Sequence, residues 1–318
     1  MDEKNLLICD KESRYANALG ENILKRSELA FRVFVFTNME SMFRFSQERE
    51  IHVLIIDEAF RDKEREKVKA HQVFVLTKEG CVDLKKEERE IYKFQAADQI
   101  LDEILEVFYE KTNSRILKVV KKSKQSLLAV YSPIHRIGKT SFALTLGKEL
   151  ARTQKTLYLN LEEYADVGGR FLRTEGRNLG DLLYYMRQEE GNLALRLSTM
   201  VAKAEELDYV PPILTSQDLK EVSFEEWKKL LDLILSESNY ECVVLDLGES
   251  VQGLMGILEL CDRIYMPVLE DSISKHKVRQ CEEEMRRMGM EGMGEKTYKF
   301  TAVMDMPAYA RKLIREEK

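Results

Sequence analysis

Short apolar runs separated by polar stretches recur along the first hundred residues, and this rhythm limits the fold more than any other feature. The runs are Leu6-Leu7-Ile8-Cys9, Val33-Phe34-Val35-Phe36, Val53-Leu54-Ile55-Ile56, Val73-Phe74-Val75-Leu76 and Ile91-Tyr92-Lys93-Phe94. A strand covered on both faces reads as a continuous apolar run of mostly β-branched or aromatic residues. Five such strands joined by helices predict a small doubly wound α/β sheet. The last helix of the set is predicted from Ala97 to Tyr109, with Ile100, Ile104, Val107 and Phe108 on one stripe. Segments 61–72 and 78–90 are almost wholly charged, so their helices are expected to be short or weakly packed.

The character changes after Lys111. Asn113-Ser114 and then Lys118, Lys121, Lys122 and Lys124 read as a solvated basic linker over 113–124. It separates a first domain, 1–112, from a second, 125–318. The second pattern opens with the predicted strand Leu127–Tyr131 and a helix from Lys139 to about Arg152 with Phe142, Leu146 and Leu150 on one face. A strand follows over Thr156–Leu161. A loop and helices fill 168–222, closed by Pro211-Pro212. Ser223 and Glu226 form a capping box for a helix whose apolar face is Phe224, Trp227, Leu231 and Ile234. Two more buried strands are Cys242–Asp246 and Arg263–Met266. A long helix after Ser272 carries Val278, Cys281, Met285 and Met288. Met285, Met288, Met290 and Met293 read as core filling, or else as an adaptable partner surface.

Composition narrows the function classes. Lys plus Arg total 50 and Asp plus Glu total 56, a net charge of −6, so a nucleic-acid partner is not expected. Non-specific DNA binding needs a basic surface that displaces counterions. No run approaches the ~18–20 apolar residues that cross a bilayer, and the acidic start Met1-Asp2-Glu3 does not read as a signal peptide. Tyr309–Arg315 is too short and too weakly apolar for a membrane helix. The five cysteines, at 9, 81, 242, 261 and 281, form no CxxC pair, which points to a reduced, cytoplasmic chain.

The most informative segment runs from Tyr131 through Ser132-Pro133-Ile134-His135-Arg136-Ile137-Gly138-Lys139-Thr140 to Ser141. A strand enters it and an amphipathic helix leaves it. Free amides and the positive dipole end of that helix favour a phosphate. Gly138 admits close backbone approach, Lys139 supplies a point charge, and the Thr140 hydroxyl suits Mg²⁺. Ile137 to Ser141 are therefore the candidate nucleotide-binding residues. A phosphate loop calls for an acid at the end of another buried strand, and Asp246 fits. Thr140 and Asp246 are the candidate metal ligands. Asn160 or Glu162, ending the Thr156–Leu161 strand, could orient a water or reach the metal, or could be a plain polar strand end.

On these residues the second domain resembles the ParA/MinD superfamily of deviant Walker ATPases over roughly 125–300. The family loop reads Lys-Gly-Gly-x-Gly-Lys-Thr. Aligned on Gly138-Lys139-Thr140, Ile134 stands where the family has its signature lysine, and His135 and Arg136 stand where it has two glycines. The family acid after the second strand falls near Asn160 or Glu162, and the Walker B aspartate falls on Asp246. Asn178-Leu179-Gly180-Asp181-Leu182-Leu183 resembles a segment after switch I, and Cys261-Asp262-Arg263-Ile264-Tyr265 a late aspartate-then-strand step. The resemblance implies ATP and Mg²⁺ as cofactors and Lys139, Asp246, Arg136 and Glu162 as catalytic residues.

The first domain resembles a flavodoxin-like response-regulator receiver. Asp10 matches a pocket acid, Asp57 the phosphoacceptor, Thr77 the hydroxyl and Lys93 the lysine. Lys11 replaces a second acid with a repelling charge, so the resemblance implies a docking module rather than an active receiver. A receiver-like domain before a ParA/MinD-type P-loop NTPase domain resembles the CpaE/TadZ group. That implies a homodimer, partners among Tad (Flp) pilus or secretion assembly proteins, and recruitment to the cell pole or inner membrane face.

The departures have consequences. Ile134 carries no charge to reach across a dimer, and Arg136 is the nearest replacement cation. A transition-state arginine is worth roughly 10³–10⁵ in rate in related phosphoryl transfers. Losing the signature lysine while keeping Lys139, Thr140 and Asp246 spares ATP binding more than turnover. Weak or no hydrolysis is expected. The competing readings are a scaffold whose loop binds nothing and a DNA-partitioning ATPase, and the acidic balance weighs against the latter.

Overall fold

The computed structural model describes residues 4–26, 29–60, 67–78, 84–85, 88–111, 125–165, 177–188, 193–301 and 306–316. The chain divides into two compact units, Met1–Val119 and Val120–Lys318. The expected linker residues 113–124 lie outside the described residues, as does Cys81.

The first unit is a five-stranded parallel sheet in the order β2-β1-β3-β4-β5. Its strands are β1 Lys4–Cys9, β2 Phe31–Phe36, β3 Ile51–Asp57, β4 Ala70–Thr77 and β5 Glu88–Tyr92. The continuous apolar runs are the central strands: Leu6 to Cys9 and Val53 to Ile56 have no exposed surface. Such a strand order reverses between β1 and β3, where a crevice opens at the carboxyl ends. Helices Ser13–Lys25, Met39–Glu48 and Ala97–Lys111 cover the faces. Ile100, Ile104 and Val107 are buried as their spacing predicts, and the side chain of Phe108 lies outside the described residues.

Two expectations are corrected here. Residues 70–72 of the segment read as helical belong to β4. The fifth strand is Glu88–Tyr92 rather than 91–94, because pairing of Val73 with Glu88 through Thr77 with Tyr92 ends the ladder there. Lys93 is thereby the first residue past the strand. Residues 61–66, 79–83 and 86–87 lie outside the described residues.

The second unit is a seven-stranded, mostly parallel sheet in the order β12-β11-β6-β10-β7-β9-β8. The strands are β6 Ser126–Val130, β7 Thr156–Leu161, β8 Ala202–Ala204, β9 Leu207–Val210, β10 Cys242–Leu247, β11 Arg263–Val268 and β12 Thr297–Thr301. Only β8 pairs antiparallel. Helices on both faces make this a doubly wound α/β layer structure. Residues 202–210, read as loop and helix, are instead β8 and β9. β9 is hard to see because Asp208 interrupts its apolar run. The structure accommodates that carboxylate with Lys155 at 2.6 Å and the Tyr240 hydroxyl at 3.0 Å. β12 also escaped the sequence reading.

The capping box is present. The Ser223 hydroxyl accepts from the Glu226 amide, and Glu226 accepts from the Ser223 amide at 2.9 Å, worth about 1 kcal/mol to the helix Phe224–Glu237. Trp227, Leu231 and Ile234 enter the core, and Phe224 packs at its margin. The helix Ser272–Arg287 buries Val278, Cys281 and Met285, whereas Met288 sits beyond its end and is exposed. Met293 completes the same core. The helix Met306–Glu316 turns Ala310 and Leu313 onto the helix Lys139–Ala151, and Arg311 pairs with Glu149 at 2.8 Å. Among the described residues no helix is long and apolar enough to cross a membrane.

Candidate functional site

β6, β10 and β7 are neighbours at the centre of the second sheet, and their carboxyl ends carry the candidate residues. Parallel register makes Asp246 the Cα partner of both Val130 and Asn160. The chain leaves β6 through Tyr131 and Ser132, and the Ser132 hydroxyl donates to the Pro267 carbonyl at 2.8 Å. Ile134 and Ile137 turn inward and join the hydrophobic core, so Ile137 faces the site with backbone only.

Between and beside them the backbone turns left-handed twice. Arg136 has φ +56° and Gly138 has φ +85°. Glycine adopts this region freely, whereas for arginine it costs roughly 1–2 kcal/mol. The chain therefore adopts a left-handed turn at 136 without a glycine there. Where right- and left-handed residues alternate, successive amides turn toward one point, the backbone geometry that suits an anion. Gly138 is also the cap of the helix Lys139–Ala151, whose first-turn amides add their dipole. His135 and Arg136 are exposed, and His135 Nε2 lies 3.3 Å from Glu249.

Lys139 is buried, with 7% of its surface accessible. Its Nζ donates to the Leu247 carbonyl at 3.2 Å and lies 2.9 Å from Glu162 Oε1. Asn160 shapes the approach: its Oδ1 accepts from the Glu162 amide at 2.9 Å. Gly248 follows β10 so closely that a Cβ there would stand 3.0 Å from the Leu161 carbonyl oxygen.

Asp246 has no accessible surface. Burial pushes its carboxyl up to about 6, against the Thr140 and Tyr158 hydroxyls that pull it down. Tyr158 donates to Oδ2 at 2.9 Å, and burial beside that carboxylate holds the Tyr158 hydroxyl well above the usual tyrosine range. Asp246 Oδ1 and Asn160 Nδ2 are buried without hydrogen-bond partners. Buried polar atoms are ordinarily satisfied, so an unpaired acceptor and donor at the ends of adjacent strands are open to a water or a polar ligand. One carboxylate and the Thr140 hydroxyl are hard oxygen donors of the kind Mg²⁺ takes beside waters and phosphates. Thr140 and Asp246 would hold that ion, and the loop amides and Lys139 the phosphates. Among the described residues no group of three His, Cys, Asp or Glu side chains could hold a metal ion by itself. Tyr158 was missed from sequence, although a tyrosine inside a fully buried strand must find a partner for its hydroxyl.

Two neighbouring segments serve the fold. Asn178 and Asp181 cap the helix Leu179–Gln188 through bonds from the Gly180 and Asn178 amides. The Asp262 carboxylate accepts from the Leu127 amide at 2.8 Å and ties β11 to β6.

The first unit gathers Asp10, Asp57 and Lys93 at the carboxyl ends of β1, β3 and β5. Lys93 Nζ lies 2.7 Å from Asp10 Oδ2, 2.5 Å from Asp57 Oδ2 and 3.1 Å from Glu12 Oε1. Burial opposes the ammonium, but these carboxylates outweigh it and hold Lys93 above the usual lysine range. Burial likewise opposes the Asp57 carboxylate, and Lys93 with the Ala59 amide brings it below its usual range. For Asp10 burial wins and its carboxyl is raised. Thr77 is buried but donates to Glu90 at 2.7 Å rather than to the cluster. Lys11 reaches the Ala59 carbonyl at 3.1 Å and lies over the Phe60 ring. Glu12 was missed as a cluster member, though it stands two residues past Asp10 where the strand has just ended.

No protein-family model and no curated protein matches this sequence. Solved structures similar to the chain include a ParA family ATPase from Chlorobium tepidum, at 16% identity over 60% of this chain and 81% of the other, TM-score 0.47. A plasmid partition protein from Borrelia burgdorferi bound to AMPPNP matches at 14% identity over 61% of this chain and 84% of the other, TM-score 0.43. The MinD cell division protein of Aquifex aeolicus matches at 14% identity over 59% and 73%, TM-score 0.42. Likeness at these values assigns neither ligand nor partner.

Proposed function

We propose that the second unit binds Mg-ATP on the loop 131–141 and works as a nucleotide-dependent positioning factor with weak or no hydrolysis. The observation that carries this reading is the pair of left-handed residues, Arg136 and Gly138, facing a buried Lys139 and a buried Asp246 whose Oδ1 has no partner. Glu205, in the turn between β8 and β9, is the other described non-glycine residue with positive φ, so the weight rests on the combination of Arg136 and Gly138 with Lys139 and Asp246 rather than on the strain alone.

Ile134 lies in the core, so this chain has no signature cation at that position. Arg136 is exposed and free to meet phosphate oxygens in its own subunit or across an interface. Binding then depends on Lys139, Thr140 and Asp246, with turnover limited by the missing cation.

Apolar side chains ring the same edge of the sheet. Tyr164 follows β7, Leu214 follows β9, and Leu269 and Ile273 follow β11, all exposed and on both sides of the loop. Exposed apolar groups so arranged suit a face-to-face homodimer closing over the nucleotide. The first unit, with its β2-β1-β3-β4-β5 order and its acid–lysine cluster, is read as a receiver-like docking module. On the CpaE/TadZ resemblance, its partners are pilus or secretion assembly proteins at the inner membrane face.

Thermal melting with and without Mg-ATP tests the reading. A ligand that binds only the native state raises apparent stability. A shift in the wild type that disappears in Lys139→Ala is expected; no shift in the wild type leaves a nucleotide-free scaffold. Phosphate release is expected to be slow and to fall further in Arg136→Ala. Brisk release that survives Arg136→Ala contradicts the assigned role.

A further inference from the structure

We propose that Glu162 is a carboxylate latch that occupies Lys139 in the nucleotide-free protein and sets the affinity of the loop for phosphate. The inference rests on the nucleotide reading above and adds how the site is held before binding.

A buried ammonium needs a counter-charge. Lys139 finds it in Glu162 Oε1 at 2.9 Å, with the Leu247 carbonyl as its other acceptor and the Tyr131 ring 5.9 Å away. An ammonium has three N–H donors and two are used here, so Glu162 opposes a phosphate on the loop through its charge, neutralising Lys139 and repelling the anion. The two anions compete.

The surroundings allow the exchange. The Glu162 backbone is pinned, because its amide donates to Asn160 Oδ1 and the Gly248 amide donates to the Leu161 carbonyl at 3.2 Å. Its side chain is a quarter exposed, at 26%, and so has solvent to swing into. Lys139 is the less accessible partner, 7% exposed and bonded to the Leu247 carbonyl. The moving part is therefore the acid. Reach matters as well. Aspartate at 162 keeps the charge but is one methylene shorter, so it does not span the present contact.

Isothermal titration with Mg-AMPPNP, on the full-length chain, separates the possibilities. Glu162→Gln is expected to bind about tenfold more tightly than the wild type, the worth of one part-buried ion pair released from competition. Glu162→Asp is expected to gain affinity too, by less, because its charge remains near the phosphates. Both variants should melt lower than the wild type without nucleotide, since Lys139 loses its partner. Circular dichroism confirms that they fold. A residue with a merely structural part lowers the melting temperature without tightening binding. Wild-type binding with equal or weaker binding in both variants overturns the latch and leaves the nucleotide site standing. Binding by Glu162→Gln alone supports a latch strong enough to close the site. No binding by any of the three proteins overturns the latch and the nucleotide reading together.

Discussion

Among the described residues each unit buries one lysine at the carboxyl rim of its sheet, and the two are held differently. Lys93 is fully enclosed and meets three carboxylates, those of Asp10, Asp57 and Glu12. Lys139 meets one carboxylate and one carbonyl, beside an aspartate oxygen and an asparagine nitrogen with no partner. The first cluster converges on its own cation, although Asp10 Oδ2, 2.7 Å from Lys93 Nζ, lacks a well-aligned hydrogen bond. The second has donors and acceptors to spare. The same fold principle, polar residues at strand ends around a crevice, thus produces a lysine gripped by three carboxylates in one unit and a lysine paired with a single carboxylate in the other. A satisfied buried network rigidifies a structure, whereas unpaired buried polar atoms are costly unless a ligand or water meets them.

The largest expected effect breaks the Lys93 cluster. Lys93→Ala leaves Asp10 and Asp57 buried without a counter-ion and should destabilise the first unit by about 3–5 kcal/mol. Chemical denaturation followed by a probe in that unit reads the loss; a change within a few tenths of a kcal/mol means the three carboxylates are not sharing one cation.

Asp246 gives the next effect. Its folded carboxyl is raised to about 6 from an ordinary value near 3.8. The native state therefore holds a proton that the unfolded chain has released, so stability falls as pH rises between those values. The penalty is complete above about 6 and amounts to about 3 kcal/mol. Asp246→Asn keeps an acceptor for Tyr158 and removes the charge. It should be more stable than the wild type at pH 7 without nucleotide, and the difference should vanish near pH 4. Parallel stability curves for the two proteins across pH 4–7 would refute the assignment.

The smallest effect concerns the loop backbone. Arg136→Gly relieves a left-handed non-glycine residue and should gain up to about 1 kcal/mol, reduced by glycine's greater freedom when unfolded. Nucleotide affinity should persist while turnover falls. Destabilisation by this variant would mean that the arginine side chain, not the backbone, holds the turn.

Much of the central architecture was legible. Runs such as Val53 to Ile56 and Val243 to Leu245 are strands enclosed on both faces, and a strand of that kind has no choice but to be continuously apolar. The capping box and the stripe of Phe142, Leu146 and Leu150 likewise reflect local physics, since cap and period are written within a few residues. Edge strands were less legible. β8 and β12 carry mixed polarity because one side faces solvent, and β9 hides Asp208, whose partners Lys155 and Tyr240 are distant in sequence.

The residue types at the two sites belong to the chain alone: Gly138-Lys139-Thr140 between a strand and a helix, an acid ending each of two buried strands, a lysine after another. Which of them meet is a matter of sheet order. β10 lies between β6 and β7, so Asp246 faces Thr140 and Asn160 across gaps of roughly a hundred residues in the first case and rather fewer in the second. Glu162 closing on Lys139, Tyr158 supporting Asp246 and Glu12 joining Lys93 are long-range electrostatic choices, and no window of sequence contains both partners. Residue identity sets what chemistry is available; the through-space pairing of charges decides that Lys93 meets three carboxylates and Lys139 only one.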